Sequence, residues 1–350
     1  MISQDNVDTT LRKLSKYSKV KIGSYPTSID YLKRVSKDLG IDVFIKRDDS
    51  LGPAFGGHYT RSMEYIFGEI IENNYDSVVH GGPSTSNQNR IVAACCAMFD
   101  LECHLVLRKK LDVDNPKVGN LFLILLMGAF VYWVNKEMGT EIDIEKNRLL
   151  DQLKKRGKNP YLFDRKHISL LSCFGMLDFS FEIFEQLDQI RISPDYIYLA
   201  GCGPTHSGIL LGTLLGKRPY NVIGVRPLHW DALKIVEDEV RMTLKELGLP
   251  DLSTKNHIIN PKEFVGEDYA IPTNEGNQAI KYFAQKEAII FDPVYTGKMA
   301  ACFLNDVRKN KLKKGSTVLL IHSGGTPLTI AFSDVLANDL KLNVFSNQTK

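Results

Sequence analysis

The strongest constraint on the fold is a repeated alternation of short apolar runs with segments of helical length. The runs at 42–47 (DVFIKR), 77–82 (SVVHGG) and 102–108 (ECHLVLR) have the length and composition of buried strands. Between them, apolar residues recur at helical spacing in 61–74 and 87–100. Strands that alternate with helices form parallel sheets covered by helices. The sequence therefore predicts an α/β protein.

The second half of the chain repeats this alternation, at 196–216 and 317–332. Glycine turns at 81–82, 201–203 and 324–325 each follow a predicted strand. Open α/β sheets bind their ligands outside the carboxyl ends of the strands. We therefore expect the three turns to converge on one cleft between two α/β domains.

Composition narrows the class of protein. The 350 residues suffice for one large or two medium domains, and the net charge of +3 argues against a nucleic-acid binder, which needs a concentrated basic face. The six cysteines form no CxxC pair and have no zinc-like spacing to histidine, so we expect no metal site and a reducing compartment. The N-terminal segment has no apolar signal core, and the longest apolar run, 121–134, is too short for a membrane span. We expect a cytoplasmic protein.

Three motifs carry possible chemistry. The glycine turn in 200–208 (AGCGPTHSG) opens a helix whose N–H groups favour phosphate, although many such turns need glycine only for geometry. Ser86 and Asn87 start another helix, where capping and ligand contact are compatible. Tyr295 and Thr296 follow an Asp-Pro turn and are expected to face the cleft, although a tyrosine in a turn is usually structural.

Seven segments occur along the chain in the order seen in one family: IKRDDSLGPAFGG, SNQNRIVAA, GNLFLILLMGA, AGCGPTHSGILLG, PTNEGNQAI, DPVYTGK and HSGG. Over roughly residues 20 to 335 the chain resembles the fold-type II, tryptophan synthase β-like enzymes that use pyridoxal 5'-phosphate (PLP), in particular the D-cysteine desulfhydrase and 1-aminocyclopropane-1-carboxylate deaminase group. The resemblance implies two three-layer α/β domains with parallel-rich twisted sheets and a cleft between them. It also implies a discontinuous large domain (1–52 and 162–350), a small domain (53–161) and a homodimer.

The resemblance assigns roles to single residues. It implies that the cofactor phosphate is bound by a turn comprising Gly201, Cys202, Gly203, Thr205 and His206. It places Asn87 at the ring hydroxyl, and Thr296 and Thr326 near the pyridine nitrogen. On the substrate side it implies Ser86, Tyr269 and Tyr295.

The segment 56–62 departs from the family. The Schiff-base lysine of the family lies in a GGNKxRK segment that is GGHYTRS here, which places Tyr59 at the lysine position. A phenol forms no imine, and with an ordinary pKa near 10 it is a poor base at neutral pH. In the phosphate turn, Pro204 stands where the family often has glycine and removes an N–H donor. We expect Lys46 and Lys298 to be structural rather than substitutes.

Three functions remain open. The first is a protein that binds a small amino-acid-like or phosphorylated ligand in the cleft without ordinary PLP catalysis, with PLP absent or bound without a lysine aldimine. The second is an enzyme with altered chemistry, in which Tyr59, His58, Ser86 and Tyr295 form a new acid–base set and PLP is held non-covalently or replaced by another substrate. In it, His58 would lower the pKa of Tyr59 and make the phenol a base. The third is ordinary lyase or deaminase activity on a small amino acid. Loss of the imine-forming group favours the first.

Overall fold

The computed structural model of the protein describes residues 4–108, 115–134 and 139–337. The strands in these ranges are β1 Ile29–Tyr31, β2 Asp42–Lys46, β3 Ser77–Pro83, β4 Glu102–Arg108, β5 Phe130–Val134, β6 Pro160–Leu162, β7 Tyr196–Ala200, β8 Asn221–Val225 and β9 Thr317–Ile321. The helices are α1 Gln4–Leu14, α2 Lys33–Leu39, α3 Tyr59–Glu72, α4 Asn87–Met98, α5 Gly119–Leu126, α6 Gly139–Lys155, α7 Arg165–Gln189, α8 Pro204–Leu215, α9 Ala232–Glu246, α10 Asn274–Glu287, α11 Thr296–Arg308, α12 Thr326–Ala331 and α13 Ser333–Ala337.

The strands form two sheets. One has the order β1-β2-β9-β7-β8 and the other the order β5-β4-β3-β6. All pairs are parallel except β1 with β2, which pair antiparallel at the edge of the first sheet. The predicted α/β class with parallel-rich sheets is confirmed. The antiparallel edge was not predicted, because a three-residue strand is too short to show a pattern.

The central strands are apolar because helices cover both of their faces. In β2, Val43 and Ile45 are fully buried, and the register places them opposite Val318 and Leu320 of β9. Strands buried on both faces have continuous apolar runs. The sequence therefore located them well, and β4 has the predicted bounds, 102–108.

Helix α7 lies in the core of the protein and is long enough to be compared with a membrane span. By length and composition alone it passes for a membrane span, but 78% of its most apolar 18-residue window is buried inside the protein. Glycines allow neighbouring helices to approach it closely. A Cβ at Gly175 would lie 2.5 Å from the Arg61 carbonyl of α3, and one at Gly212 of α8 would lie 1.8 Å from Ser180 Oγ. The run 121–134 is therefore not the segment that most resembles a membrane span: the sequence predicts a helix only over 174–190, whereas α7 begins at Arg165 and reaches that length.

The second sheet uses only strands between residues 77 and 162, whereas the first uses strands on both sides of that range. The domain limits themselves, 53 and 161, stay a prediction. One apolar core joins α3 and α4 to α7 and α8. Helix α3 follows the 53–58 loop, and α4 follows β3. The loops at the carboxyl ends of the strands are thereby held against each other.

Candidate ligand-binding cleft

The loop before α3 is held in place by Arg90 of α4. This guanidinium is fully buried, and it donates to the carbonyl of Gly56 (2.9 Å) and to that of Ala54. Its Nε donates to Asn120 Oδ1 at 2.9 Å. Ala54 and Gly56 both have positive φ, and Gly57, with φ +125°, packs against the Ser323 carbonyl. Arg90 therefore stabilises a loop whose backbone would otherwise be strained.

His58 joins three loops of the cleft. Its Nδ1 lies 3.1 Å from the Ser323 carbonyl, and its Nε2 lies 3.0 Å from Thr205 Oγ1. A carbonyl only accepts, so Nδ1 carries the proton and Thr205 donates to Nε2. Burial lowers the pKa of His58, which keeps the ring neutral. His58 thus links the start of α3 to both the 201–205 and the 322–325 turns.

Tyr59 is the first residue of α3 and is half-buried. Its ring stacks on His58 with ring centroids 4.5 Å apart. Burial raises its pKa well above the usual value, and the neighbouring Tyr269 hydroxyl and Cys202 thiol raise it further. Tyr59 is therefore a neutral phenol at physiological pH. The sequence-based idea that His58 would lower the pKa of Tyr59 and make it a base is not supported.

Tyr269 and Tyr295 form a hydroxyl pair in the same region. Their oxygens lie 2.5 Å apart, with the rings at 63° to each other. Burial raises the pKa of both, and Tyr59 and Tyr269 contribute to the increase for Tyr295. Three of the predicted site tyrosines are thus brought together, all in the neutral form.

Asp292 forms hydrogen bonds with the backbone of Tyr295 and with the hydroxyl of Thr296. Its Oδ1 accepts from the backbone N–H of Tyr295 at 2.8 Å. The Thr296 hydroxyl donates to Asp292 Oδ2 at 2.7 Å and accepts from the Asp292 backbone N–H at 2.8 Å. Thr296 is fully buried and its hydroxyl is bonded within its own loop, while the expected role near the pyridine nitrogen stays a prediction. Thr326, partly buried, opens α12 directly after Gly325, which packs on Asp292.

The start of α4 supplies polar groups to the cleft. Ser86 is the N-cap, and its Oγ accepts from the backbone N–H three residues on. Asn87 Oδ1 accepts from Asn120 Nδ2 at 2.9 Å. The Thr85 hydroxyl is buried beside the Tyr269 hydroxyl, and this contact works against the burial that raises the pKa of Tyr269. The contact lies outside ordinary hydrogen-bond geometry, so a ligand or water would complete the Thr85 hydroxyl better.

The predicted phosphate turn is present between β7 and α8, but its side chains are arranged differently from the prediction. Gly201 has φ +153°, Gly203 is the N-cap and Pro204 opens α8. Cys202 is buried, and burial raises its pKa to about 11. His206 is fully buried and packs against Gly224 of β8, where a Cβ would lie 2.2 Å from its Nδ1 and 2.8 Å from the Gly201 carbonyl. Four of the five predicted residues therefore form the turn, and His206 packs behind it.

Both lysines considered as substitutes are bound elsewhere. Lys46 Nζ donates to Glu182 Oε1 (2.5 Å), to Gln186 Oε1 (2.6 Å) and to the Thr27 carbonyl (2.6 Å). Lys298 Nζ donates to the Val265 carbonyl at 2.5 Å, and burial lowers its pKa to about 8. Both amines are thus bonded to acceptors outside the Tyr59 region, and their structural role stays a prediction.

Sequence analysis missed four supporting residues: Thr85, Arg90, Asn120 and Asp292. A signal existed for two of them. Asn120 is a lone polar residue at the start of an apolar helix, and Arg90 follows the N-cap by one helical turn, on the buried face. The roles of Thr85 and Asp292 depend on loop geometry that the sequence does not display.

Two surface depressions lie away from these residues. One, of about 380 Å³, is lined by residues including Cys96, Cys103 and Lys158. The other, of about 440 Å³, lies along α9. Neither includes a predicted site residue. Among the described residues, no group of three or more His, Cys, Asp or Glu side chains is placed to hold a metal ion.

The amino-acid sequence is similar to known proteins over most of its length. The family described as "Pyridoxal-phosphate dependent enzyme" matches residues 20–324. The chain is 32% identical to a probable 1-aminocyclopropane-1-carboxylate deaminase of Schizosaccharomyces pombe, over 93% of this chain and 99% of the relative. It is also 32% identical to the 1-aminocyclopropane-1-carboxylate deaminase of Burkholderia multivorans, with the same coverage.

Solved structures agree on the fold. A crystal structure of a 1-aminocyclopropane-1-carboxylate deaminase homologue superposes with a TM-score of 0.85 at 26% identity, covering 95% of this chain and 99% of that one. The processed form of threonine deaminase isoform 2 from Solanum lycopersicum shares the fold, with a TM-score of 0.63 at 16% identity, covering 96% and 88% of the two chains.

Proposed function

Because the chain belongs to the pyridoxal-phosphate dependent enzyme family, we propose that it is a deaminase-like protein whose cleft binds a small amino-acid-like ligand without a lysine–PLP imine. The observation that carries this proposal is the start of α3, where the neutral phenol of Tyr59 stacks on His58 beside the Tyr269–Tyr295 pair. In the resemblance, this is the position from which an amine would reach an aldehyde.

The start of α4 supports binding of a carboxylate. Backbone N–H groups at a helix N-terminus carry partial positive charge. The buried Thr85 hydroxyl lies at this end beside the Tyr269 hydroxyl, and the half-buried Ser86 follows it. The neighbouring hydroxyl pair of Tyr269 and Tyr295 offers acceptors for an ammonium group. A small zwitterion satisfies both ends.

The side chains fit an imine-anchored PLP poorly. The phenol of Tyr59 forms no imine, and the amines of Lys46 and Lys298 are held by fixed acceptors. At the phosphate turn, the Thr205 hydroxyl proton is directed at His58, and Pro204 has no N–H to donate. We therefore derive no reaction step through this cofactor.

The altered-enzyme alternative is less well supported. Burial raises the pKa of Tyr59, Tyr269 and Tyr295, so the three phenols are protonated near neutral pH. Both ring nitrogens of His58 are engaged by Ser323 and Thr205. A general base needs both a pKa near the working pH and a free lone pair. None of these four side chains combines the two.

The test is ligand-dependent stabilisation of the purified, cofactor-free protein. A panel of 1-aminocyclopropane-1-carboxylate, D-cysteine, D-serine and other small amino acids is added before thermal melting. A ligand at a hundred times its Kd stabilises by about 2.7 kcal/mol, which is about 4 °C for a chain of this length.

Two threonine variants localise the effect. Thr85→Val removes a buried hydroxyl whose contact with Tyr269 lies outside ordinary hydrogen-bond geometry, so it should reduce the ligand-induced shift while changing the unliganded melting temperature little. Thr213→Val is the matched control, since its hydroxyl is bound to the Ile209 carbonyl within α8. Absence of any shift across the panel would sink the proposal. Release of a 2-oxo acid from the wild type at enzymatic rates would also do so.

A further inference from the structure

The hydroxyl of Thr205 is not free to bind an anion. Because His58 Nδ1 donates to the Ser323 carbonyl, Nε2 is an acceptor, and Thr205 has a single proton to give it. The preceding residue, Pro204, contributes no N–H. Two positions of the 201–205 turn that would otherwise donate to a phosphate are therefore lost.

A carboxyl group lies beside the same turn. Glu239 of α9 accepts from Ser169 Oγ of α7 at 2.5 Å and from Ser207 Oγ of α8 at 2.6 Å. A Cβ placed on Gly203 would lie 3.8 and 4.0 Å from its two oxygens. Since Ser207 is in the first turn of α8, Glu239 sits close to the positive end of that helix.

The hydrogen-bond partners of Glu239 do not neutralise its negative charge. Both of its hydrogen-bond partners are uncharged serine hydroxyls, and the adjacent Asp238 adds negative charge. The thiols of Cys173 and Cys202 face it and are neutral, because burial raises their pKa. Burial raises the pKa of Glu239 to about 7. At pH 8 most of the population carries the charge.

A cation also acts on the turn. Arg226 lowers the pKa of the Cys202 thiol more than Glu239 raises it, although burial dominates. Three of the five N–H groups of Arg226 donate to Asn260 Oδ1, to the Asn260 carbonyl and to the Trp230 carbonyl. None of these bonds reaches the 201–205 turn, so they do not restore the two lost donors.

Building on the proposed function, we propose that the 201–205 turn is not a phosphate subsite, that the Glu239 carboxyl stands in for the anion, and that the ligand of the cleft is phosphate-free. A phosphate bound at the turn would lie next to the Glu239 carboxylate, and two of the donors that could stabilise the phosphate are missing. Two neighbouring negative charges in a partly buried site repel each other strongly. A zwitterionic amino acid bound at the start of α4 avoids this repulsion.

The test compares pyridoxine 5'-phosphate with pyridoxine at pH 8 by calorimetry. Neither compound carries an aldehyde, so lysine imines do not contribute. For the wild type, the two dissociation constants should agree within about threefold. Glu239→Gln removes the charge and keeps one acceptor oxygen, while its amide N–H can donate to the hydroxyl of the other serine. The phosphate compound should therefore bind at least about tenfold tighter while pyridoxine is unchanged. The control is Asp238→Asn, an exposed neighbour on α9 whose charge acts on Glu239 through solvent, so it should change the ratio of the two dissociation constants far less than Glu239→Gln.

The proposal is overturned if the wild type binds pyridoxine 5'-phosphate a hundredfold tighter than pyridoxine. It is also overturned if Glu239→Gln gives no gain for the phosphate compound, including the case in which the wild type binds neither compound. Melting curves establish that each variant is folded. If the wild type binds the two compounds with nearly equal dissociation constants but no amino acid stabilises it, the proposed function is refuted and the inference about the 201–205 turn is not.

Discussion

The most informative perturbation of the fold is removal of Arg61, two residues after Tyr59 on α3. Its Nε donates to Asp48 Oδ2 at 2.6 Å, and its Nη1 donates to Glu182 Oε2 at 2.9 Å. Lys46 completes the network through Glu182. Arg61 is 4% exposed and Asp48 is fully buried. The network ties the first turn of α3 to the end of β2 and to α7.

Arg61→Met keeps much of the apolar volume but leaves the Asp48 carboxylate buried without its cation. Breaking one side of a buried ion pair costs about 3–5 kcal/mol. The entropy of unfolding near 60 °C is about 2.1 cal/mol/K per residue, or about 0.7 kcal/mol/K for this chain. The melting temperature should therefore fall by about 4–7 °C in calorimetry or circular dichroism.

Arg47→Met is the matched control. Arg47 also pairs with an aspartate of the same loop, Asp49, at 2.8 Å, but it is 28% exposed. An exposed pair contributes about 0–1 kcal/mol, so this variant should lose at most about 1–2 °C. Equal shifts in the two variants would refute the argument that burial sets the cost.

The effect of Arg61 should depend on pH. Burial raises the pKa of Asp48 and Glu182, but the charges and hydrogen bonds of Arg61 and Lys46 together outweigh it and hold both pKa values below their usual range, with Arg61 contributing most. A lowered folded-state pKa stabilises the fold above the unfolded pKa, about 4, and this stabilisation is lost as pH falls through the folded value. The difference between wild type and Arg61→Met should therefore narrow in acid.

Two further predictions concern the cleft. Gly325→Ala should destabilise by more than about 2 kcal/mol in denaturant titration, because φ is +108° and the new Cβ would lie 2.5 Å from Asp292 Oδ2. Gly315→Ala, with φ +77° and open space, should cost only about 1 kcal/mol, and equal costs would contradict this account. In alkaline titration by absorbance, wild type and Tyr59→Phe should ionise the same number of phenols up to pH ~10.5, because the pKa of Tyr59 is raised; one phenol fewer in the variant would contradict this.

Apolar pattern predicted the sheets well, and two elements show where it fails. The start of α7 is polar, with Arg165 and His167, so helical periodicity became visible only at the apolar part of the helix. The strand β1 owes its place to three antiparallel pairs with β2, such as Ile29 with Lys46. Neither feature leaves a clear local signal.

The candidate site was predicted by the order of its motifs, which brought Tyr59, Tyr269 and Tyr295 together. The directions of hydrogen bonds were not predictable, because they depend on rotamers and loop geometry. Thr296 illustrates this, since its hydroxyl is bound within the Asp292 loop. Glu239 illustrates a second limit, because it reaches the turn from α9, a helix whose sequence shows only an amphipathic pattern.

The most direct test of the central claim is PLP titration of wild type and Tyr59→Lys, with absorbance followed by borohydride reduction and mass mapping. The account predicts no imine band and no stoichiometric lysine adduct in the wild type or in a Tyr59→Met control. It predicts a band at roughly 410–420 nm and an adduct at residue 59 in Tyr59→Lys. A band in the wild type, with one adduct on Lys46 or Lys298, would contradict the claim that the cleft works without a lysine imine.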